Sequence, residues 1–509
     1  MNKSPSFTIY NASAGSGKTF TIVKAYLTKL ISSNKPDFFK HILAITFTNK
    51  AVGEMKERIL ENLFAFSKET ILENETVLFS LVCEETQLKP TEVRNRAKNA
   101  VNYILHNFSS FDVETIDRFN HRLIRTFAKD LKLPTNFEVH LDLENLMAEA
   151  VDKLISKVGI DKDLTTIILD FSFEKVAEDK SWDISSDLRK IGKLLYSENE
   201  IPHTEKLKDK TLTDFKNLKT QLSNQKQLIE KELISLAKDF FDILTKNNLQ
   251  ETDFNGAYLP GYFKKIIDKN IDISKPPKWH ETLGDSALYP QRVTNDVKKT
   301  LDQLSQQIVS IFHKSKTWIY QLEFIEILSR NVNSLSLINA IQREYLSLQE
   351  EKKILPISEF NVRINKEIKQ QPAPFIYERL GEKYKHFFVD EFQDTSQLQW
   401  QNLTPLIENA LSQSDSKNKT GSLMLVGDAK QSIYRWRGGD PDQFISLYDN
   451  FNPFPAASKE VKNLDTNFRS YDEIIQFNNS FFTYVSNYFG SEHHKELYTV
   501  GNAQSMTNK

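Results

Sequence analysis

The sequence lacks several features that would point to particular classes of protein. Cys83 is the only cysteine in 509 residues, which excludes intrachain disulfides and zinc sites built from several cysteines. Positive charge is not in excess, because 66 Lys and Arg residues face 68 Asp and Glu residues. The net charge of −2 excludes a uniformly basic nucleic-acid coat but not a local basic groove. No apolar run approaches the ~18 residues of a membrane helix, and the first residues lack the apolar core of a signal peptide. We therefore expect a soluble, cytoplasmic protein with no membrane partner.

Glycine is scarce as well, and the few glycines are clustered. The chain has 15 glycines, about half the usual share. Gly15 and Gly17 lie in one short loop, and Gly427, Gly438 and Gly439 lie in a second short stretch. Because glycine has no side chain, this clustering indicates that the backbone closely approaches another group at those two places.

Short apolar runs recur along the chain and alternate with helical patterns. Hydrophobic residues make up 39% of the chain and charged residues 26%, which excludes wholesale disorder. At roughly 150 residues per domain, the length predicts about three domains. The apolar runs lack in/out alternation, which is typical of parallel strands covered on both faces, and the intervening helices predict a doubly wound α/β sheet. Such sheets bind ligands at the carboxyl ends of their strands. The five predicted strands are Phe7–Tyr10, Ile42–Phe47, Phe111–Val113, His386–Val389 and Ser422–Val426.

The α/β pattern stops near Thr126 and resumes near Tyr384. Between about residues 126 and 350 the chain is charged and is predicted to be mostly helical, for example at Leu143–Val158 and Leu218–Leu244. We expect an α/β domain that is interrupted by a large, mostly helical insertion. The prolines that divide this insertion into pieces are Pro260, Pro276, Pro277 and Pro290.

A phosphate-binding loop is predicted directly after the first strand. The segment fits the pattern G-x-x-x-x-G-K-[ST], with Ala12 in place of the first glycine. Small residues let backbone N–H groups surround phosphates, Lys18 offsets charge on the β- and γ-phosphates, and the Thr19 hydroxyl is a Mg²⁺ ligand. The following helix directs its positive end at the same anion. The alternative is a chance match in a Gly/Ser turn, which the flanking strand and helix disfavour. The predicted ATP-binding residues are Ala12, Ser13, Ala14, Gly15, Ser16, Gly17, Lys18 and Thr19.

A pair of carboxylates follows the strand His386–Val389. Asp390 is placed to hold Mg²⁺ directly or through water, and Glu391 to orient and deprotonate an attacking water. Alone, an Asp-Glu pair after a strand is as often a solvated turn or a helix cap. Together with the phosphate loop, the pair predicts a site for a Mg²⁺-bound triphosphate.

The second glycine-flanked stretch, at residues 427–438, follows the strand Ser422–Val426. Its glutamine, arginines, tyrosine and tryptophan are poorly suited to a core. They suit a surface where a γ-phosphate sensor, Gln431, lies next to a base-stacking platform that contains Tyr434 and Trp436. The alternative is an aromatic cluster that packs a domain interface.

Six segments resemble, in order, the motifs of superfamily 1 DNA helicases of the UvrD/RecB type. The GKTFT ending of the first segment is more similar to the RecB/AddA branch than to the UvrD/Rep branch. The resemblance covers the α/β parts well and the helical insertion only by position. The six segments are ASAGSGKTFT, ITFTNKAVGEMKERI, ETIDRFNHRLI, FFVDEFQDTSQLQW, LMLVGDAKQSIYRWRGGD and LDTNFRS.

The resemblance implies a RecA-like motor that uses ATP and Mg²⁺. By position, Thr19 and Asp390 match the family's metal contacts, Glu391 matches its catalytic base and Gln431 its γ-phosphate sensor. Arg469 matches an arginine that reaches the same phosphate from the second motor domain.

The resemblance also implies a DNA partner. Family members translocate 3′→5′ along one strand. The resemblance further implies a role in DNA repair or recombination and suggests membership of a recombination complex. The positions that match single-stranded DNA contacts are Phe47, Thr48, Asn49, Thr115, Tyr434 and Trp436.

The sequence also departs from the family pattern. We do not find two later motifs of the second motor domain, an adenine-reading glutamine before the phosphate loop, or a RecB-type nuclease signature. Asp117 stands where many relatives have histidine. We therefore expect an N-terminal piece of a longer helicase that is weakly active alone. The predicted parts are 1–125 and 351–460 for the first RecA-like domain, 126–350 for the insertion and 461–509 for the truncated start of a second RecA-like domain.

Alternative functions stay open at this point. A non-catalytic, helicase-like scaffold of a recombination complex is one, although its phosphate loop or Asp-Glu pair should then be degraded. A transporter-type or clamp-type ATPase would need an LSGGQ-like signature, which is missing. The insertion could bind a partner, although a solvated face is favoured. Lys264 and Lys265 with Tyr262 and Phe263 could touch duplex DNA, although packing is the commoner role of such clusters.

Overall fold

The structure is a computed structural model that describes most of the chain in two units. Unit 1 comprises Met1–Leu143, Tyr196–His203 and Ser347–Lys509, and unit 2 comprises Glu144–Leu195 and Thr204–Leu346. The described residues are 5–126, 128, 138–140, 142–177, 179, 181–198, 200–270, 276–285, 287–370, 383–413, 420–449, 451–499 and 504–506.

Unit 1 is built on a parallel sheet of six strands in the order β3-β2-β6-β7-β1-β8, with β4 and β5 paired separately. In this order β7 lies between β6 and β1, so the carboxyl ends of these three strands are neighbours at one edge of the sheet. The strands are β1 (Phe7–Ala12), β2 (Ile42–Thr46), β3 (Val113–Thr115), β4 (Glu138–His140), β5 (Ile354–Pro356), β6 (His386–Val389), β7 (Ser422–Gly427) and β8 (Lys459–Leu464).

Helices follow most strands in unit 1 and make up nearly all of unit 2. Short 3₁₀ turns at Phe392–Asp394, Ala429–Gln431 and Arg435–Arg437 follow β6 and β7. The helices are α1 (Lys18–Ser32), α2 (Asn49–Ser67), α3 (Val77–Thr86), α4 (Pro90–His106), α5 (Ile116–Thr126), α6 (Leu143–Ile155), α7 (Lys162–Ala177), α8 (Ser185–Lys193), α9 (Ile201–Glu205), α10 (Leu212–Lys246), α11 (Tyr258–Ile267), α12 (Trp279–Thr282), α13 (Asn295–Ser336), α14 (Ile338–Lys352), α15 (Ile357–Gln370), α16 (Gln397–Ser412), α17 (Pro441–Tyr448), α18 (Asp472–Ser486) and α19 (Glu492–Thr499).

Successive residues of the central strands face two separate hydrophobic layers. Leu43 and Phe387 belong to one buried cluster, whereas their neighbours Ala44 and Phe388 belong to the other. Both faces of the sheet are therefore covered, as the continuous apolar runs predicted. The predicted α/β fold, a parallel sheet interrupted by a helical insertion, is confirmed.

Several details differ from the predictions, and the short strands β4 and β5 were not predicted. The strand predicted at Phe111–Val113 begins at Val113, because a 3₁₀ turn at Phe108–Ser110 leads into it and Val113 pairs with Ala44. The edge strand β8 was not predicted, because its sequence KEVKNL has no apolar run and its residues are partly or fully exposed. The predicted boundary at residue 460 falls inside β8, which pairs with β1. The four-part domain division stays a prediction.

Unit 2 has its own core between the two long helices α10 and α13. Phe240, Phe263 and Phe312 are fully buried there, and the rings of Phe240 and Phe263 stack with centroids 4.4 Å apart. Pro260 lies in the first turn of α11, where the missing N–H costs little, and does not break the helix. None of the described helices combines the length and the apolar character that crossing a membrane requires.

Candidate nucleotide and nucleic-acid site

The loop between β1 and α1 is shaped to surround an anion. Gly15 and Gly17 have φ values of 82° and 84°, which favour glycine, and Gly17 precedes the first turn of α1. Within the loop, the Ser16 Oγ donates to the Ser13 carbonyl oxygen at 2.7 Å. The first turn of α1 contains no acidic residue, so no carboxylate of the helix itself competes for the N–H groups at its positive end.

Lys18 joins three strand ends that are distant in sequence. Its Nζ donates to both carboxylate oxygens of Glu391, at 2.9 and 3.0 Å, and to the Gln431 Oε1 at 3.2 Å. These partners follow β6 and β7, 373 and 413 residues beyond Lys18. The phosphate loop, the acidic pair and the predicted sensor glutamine therefore lie around one point.

The acidic pair sits in a strained turn at the end of β6. Glu391 has φ 52° and ψ 45°, a left-handed conformation that is rare for a residue other than glycine and that clusters at functional sites. The Asp390 Oδ1 accepts from the Glu391 N–H at 3.0 Å. Burial raises the pKa of Asp390 to about 7, the charge of Glu391 adds to this rise, and Lys18 opposes it. A nearby divalent cation would favour the ionised form of such a carboxyl group.

The donors at this place fit Mg²⁺ held together with a nucleotide. Thr19, in the first turn of α1, has a hydroxyl oxygen, and Asp390, directly after β6, has carboxylate oxygens, the kinds of ligand that Mg²⁺ prefers. Among the described residues, no group of three or more His, Cys, Asp or Glu side chains is placed to hold a metal. A small oxygen set is what Mg²⁺ uses when phosphates and waters complete its shell.

A second layer of polar side chains holds the acidic pair and the sensor. The Gln393 Nε2 donates to the Glu391 Oε2 at 2.7 Å, and the Gln393 Oε1 accepts from the Asp428 N–H at 3.0 Å. The Gln431 Nε2 donates to the Asp428 Oδ2 at 2.7 Å. The contact between Gln393 and Asp428 requires a glycine at position 427, because a Cβ on Gly427 would lie 2.7 Å from the Gln393 Oε1. The sequence reasoning missed Gln393 and Asp428, whose only signal was their place beside Glu391 and Gly427.

The segment that carries Arg469 packs on the phosphate loop. The Phe468 N–H donates to the Gly15 carbonyl oxygen at 2.9 Å, and a Cβ on Gly15 would lie 2.9 Å from the Arg469 Cβ. The Asn467 Oδ1 accepts from the Arg469 N–H at 2.8 Å, which fixes the turn. The ring of Phe468, 57% exposed, lies beside Gly17. Sequence reasoning did not consider Phe468, although an aromatic residue directly before the predicted arginine was a usable signal.

Three of the predicted DNA-binding residues, Phe47, Tyr434 and Trp436, form one cluster. Together with Arg437, which was not predicted, we call this cluster the aromatic platform. The ring centroids of Phe47 and Tyr434 are 4.6 Å apart, and those of Tyr434 and Trp436 are 6.3 Å apart. The Arg437 guanidinium lies 5.3 Å from the Phe47 ring centroid. Trp436 is 77% exposed, so the platform offers an aromatic face to solvent, while Arg437 also pairs with Asp117 at 3.9 Å.

The other predicted DNA contacts lie at the ends of β2 and β3 and have local partners. The Thr48 Oγ1 caps α2 by accepting from the Ala51 N–H at 3.1 Å, and the exposed Asn49 is the first residue of that helix. Thr115 is buried, and its Oγ1 accepts from the Arg118 N–H at 3.2 Å. The two threonines therefore fix the N-termini of α2 and α5 at the same edge of the sheet as the platform.

The basic-aromatic cluster of unit 2 is bound into its own core. Phe263 is fully buried, the Tyr262 hydroxyl lies 2.9 Å from the Ser315 Oγ, and Lys264 pairs with Glu251 at 2.8 Å. These contacts favour the packing alternative over duplex DNA for this cluster.

Comparison with known proteins adds a family and relatives. The family model described as the UvrD/REP helicase N-terminal domain matches residues 4–452. The chain is 24% identical over 502 residues to an ATP-dependent helicase/nuclease subunit of Clostridioides difficile, in an alignment that covers 94% of the chain and 37% of that relative. It is 25% identical over 512 residues to the protein of the same name from Lactococcus lactis subsp. cremoris, covering 94% of the chain and 39% of that relative. The chain therefore spans less than two fifths of the length of these relatives.

Proposed function

The chain belongs to the UvrD/REP helicase family, and on this premise we propose that it is the ATP-binding motor portion of a DNA helicase of the RecB/AddA-like branch. It would bind Mg-ATP and single-stranded DNA, hydrolyse the ATP and translocate 3′→5′ in recombination or repair, together with a partner subunit. The second candidate is a non-catalytic helicase-like scaffold of a recombination complex. The intact set of Lys18, Thr19, Asp390, Glu391 and Gln431 favours the motor.

One observation carries the proposal. Lys18 contacts Glu391 and Gln431 at once, so a phosphate at the loop would meet a cation, a base and a sensor together. Positioning and charge stabilisation are the main tasks of a protein in phosphoryl transfer. A scaffold would have no need to hold these three groups within hydrogen-bonding distance.

Each residue has a definable task. Lys18 and the loop N–H groups would hold the β- and γ-phosphates, while Thr19 and Asp390 would hold Mg²⁺, which neutralises phosphate charge. Glu391 would accept a proton from the attacking water. Arg469, from the turn at Asn467, would add positive charge as the phosphoryl group transfers.

The pairing of Lys18 with Glu391 supplies a control step. In this pairing both carboxylate oxygens of Glu391 accept from the Lys18 ammonium group, so the carboxylate is directed at Lys18. Phosphates that bind at the loop compete for Lys18 and would free Glu391 to orient water. We infer that the base is released only when a nucleotide is bound.

The DNA side is linked to the same loop. Gln431 and Tyr434 lie three residues apart after β7, so a movement of the sensor would be passed to the aromatic platform. Stacked bases are held without sequence preference by such rings. Cycles of closing and opening would then shift the grip on the strand and advance the motor.

Phe468 is our candidate for contact with the adenine base. Its ring is largely exposed and lies beside the phosphate loop, where a base attached to the bound phosphates could stack on it.

The test of the ATP half compares Glu391→Gln with the wild-type protein. We expect nucleotide binding to be retained and ATP turnover, measured with and without single-stranded DNA in the full-length protein, to fall about 10²–10⁴-fold. Unchanged turnover would show that Glu391 is not the base. Absence of turnover in the wild-type full-length protein would favour the scaffold.

The test of the DNA half uses Trp436→Ala. Loss of one stacking ring should weaken binding of an oligothymidine by about 1–3 kcal/mol, measured by fluorescence anisotropy. Trp182, which is 74% exposed in unit 2, gives the matched control variant Trp182→Ala. Equal binding by the two variants would remove the platform from the proposed DNA site.

A further inference from the structure

A cavity of about 550 Å³ lies at the edge of the sheet, between α2, α5 and β3. Its walls bring together four basic side chains, and we call it the edge groove, defined by Lys56, Arg118, Arg122 and Arg125. Neither the nucleotide site nor the aromatic platform uses any of them.

The two carboxylates in the wall of the edge groove are already partnered. Arg122 donates to Asp112 at 2.6 Å and to Glu114 at 2.5 Å. Lys383 donates to the other oxygen of Asp112 at 2.8 Å, and the Tyr384 hydroxyl donates to it at 2.7 Å. The carboxylates of Asp112 and Glu114 are thus neutralised by side chains of the protein itself, and Arg122 is occupied by them.

Three cations remain for a ligand. Arg118 has a side chain that is 73% exposed, and its Nε is 4.0 Å from the nearest Glu114 oxygen. Arg125 is exposed. The Lys56 Nζ lies 5.3 Å from the Phe108 ring centroid. Burial and then the charge of Arg118 lower the pKa of Lys56, and Glu114 and Asp112 oppose this, so Lys56 and Arg118 repel each other.

The spacing of the arginines is regular. Arg118, Arg122 and Arg125 are separated by four and three residues, which places them on one face of α5. Arg118 and Arg125 are seven residues apart and therefore about 10 Å apart along the helix. Lys56 faces them from the second turn of α2. A ligand that meets all three must carry negative charge along its length.

The edge groove begins where the candidate DNA contacts end. Both α2 and α5 start at the carboxyl edge of the sheet, directly after Thr48 and Thr115. Arg118 lies in the first turn of α5 and Arg125 in the last, so the cations lead away from the platform along the side of the sheet.

We propose that the edge groove is a further binding site for the phosphodiester backbone of single-stranded DNA, which continues past the aromatic platform onto Arg118, Lys56 and Arg125. The inference rests on the proposed DNA-binding function and extends its track. A flexible acidic polypeptide is the other ligand with the same charge, but the continuity with Thr48 and Thr115 favours the nucleic acid.

The test measures binding of oligothymidines of increasing length at several salt concentrations. We expect the double variant R118A/R125A to bind a short oligonucleotide like the wild type and to lose the affinity that the wild type gains with longer ones. The slope of log affinity against log salt for the long oligonucleotide should decrease in magnitude by about 1.4, because each phosphate contact to a single strand contributes about 0.7. Arg122 is left intact because it holds Asp112 and Glu114.

The matched control is Arg58→Ala. Arg58 is exposed on the same helix as Lys56, but it lines a different cavity with Glu54, Glu57 and Glu61, so its loss should leave the length dependence unchanged. An unchanged length dependence and salt slope in the double variant would overturn the inference, as would tighter binding of polyglutamate than of oligothymidine to the wild-type groove. Failure of the wild type to bind even short oligonucleotides would instead refute the proposed function.

Discussion

Units 1 and 2 both pair polar side chains across distant elements, but at different kinds of place. In unit 1, Lys18 meets Glu391 beside the phosphate loop, and Gln393 links Glu391 to Asp428 after β7. In α13 of unit 2, buried Ser315 and Ser336 bond to carbonyl oxygens three residues earlier on their own helix. Elsewhere in unit 2, Glu174 of α7 accepts from Lys219 of α10 and Asn333 of α13, so this group joins three helices. Because the unit 1 group lies at a phosphate loop and the unit 2 group lies between helices, we propose the chemistry for unit 1 alone.

The largest expected effect comes from removing the cation at the centre of unit 1. In Lys18→Ala, Glu391 and Gln431 lose their common partner and the transferring phosphoryl group loses a positive charge. An arginine finger, another cation that stabilises the transferring phosphoryl group, contributes about 10³–10⁵-fold, and we use it as the guide. We expect kcat/KM for ATP in the full-length protein to fall by that order.

The control is the same substitution in unit 2. Lys264 makes an exposed ion pair with Glu251, worth about 0–1 kcal/mol, so Lys264→Ala should leave ATP turnover unchanged. If Lys264→Ala lowered kcat/KM as much as Lys18→Ala, the proposal that the chemistry lies in unit 1 alone would be wrong.

The next effect concerns the stability of unit 2. Phe312 is fully buried, and its ring lies 5.1 Å from that of Tyr262 and 5.5 Å from that of Trp279. Phe312→Ala should therefore cost about 3–5 kcal/mol of unfolding free energy, measured by chemical denaturation and localised to unit 2 by hydrogen exchange.

Phe324→Ala is the control, since Phe324 lies on the same helix but is 61% exposed, and should cost far less. Nucleotide affinity should be unaffected by either change. A loss of nucleotide binding in Phe312→Ala would mean that the core of unit 2 supports the site of unit 1.

The meeting of Lys18, Glu391 and Gln431 was predictable from the sequence because parallel topology fixes where strand ends meet. Once the runs before Ala12, Asp390 and Gly427 are strands of one parallel sheet, their carboxyl ends share an edge. The residue types at those ends are the reason why we propose that a phosphate and a metal bind there.

Other features could not be predicted, for identifiable reasons. The edge strand β8 is charged, so the hydrophobic pattern that reveals buried strands is absent from it. The role of Gln393 depends on the approach of Gly427, a contact that only the folded sheet creates. The segment Tyr196–His203 belongs to unit 1 although unit 2 residues flank it on both sides, and no local pattern marks that return.

Glu198, from that returning segment, provides a pH-dependent test of the comparison. Its carboxylate accepts hydrogen bonds from Ser396 and Asn361, and burial raises its pKa to about 7, with Asp117 adding to the rise and the two hydrogen bonds opposing it. The folded state therefore holds a proton that the unfolded state releases near the usual pKa of 4.5. The unfolding free energy should decrease as the pH rises from about 4.5 to about 7, by an amount of order 1–3 kcal/mol.

Glu198→Gln should remove this part of the pH dependence, because the amide does not ionise and can keep both contacts. The measurement is chemical denaturation of both proteins across the pH range, and the exposed Glu205→Gln serves as the control. Identical pH profiles for the wild type and Glu198→Gln would show that Glu198 is not a buried acid of unit 1.

The smallest expected effect separates two roles of Thr48, as a helix cap and as a DNA contact. Because its Oγ1 accepts from the Ala51 N–H, Thr48→Ala should cost about 1 kcal/mol of unfolding free energy. Thr48→Asp keeps an acceptor at the cap and should restore the stability, but its carboxylate would face the DNA phosphates and weaken oligothymidine binding. Denaturation and anisotropy on the three proteins distinguish the roles. Full DNA affinity in Thr48→Asp would leave Thr48 a cap alone and move the DNA path toward the aromatic platform and the edge groove.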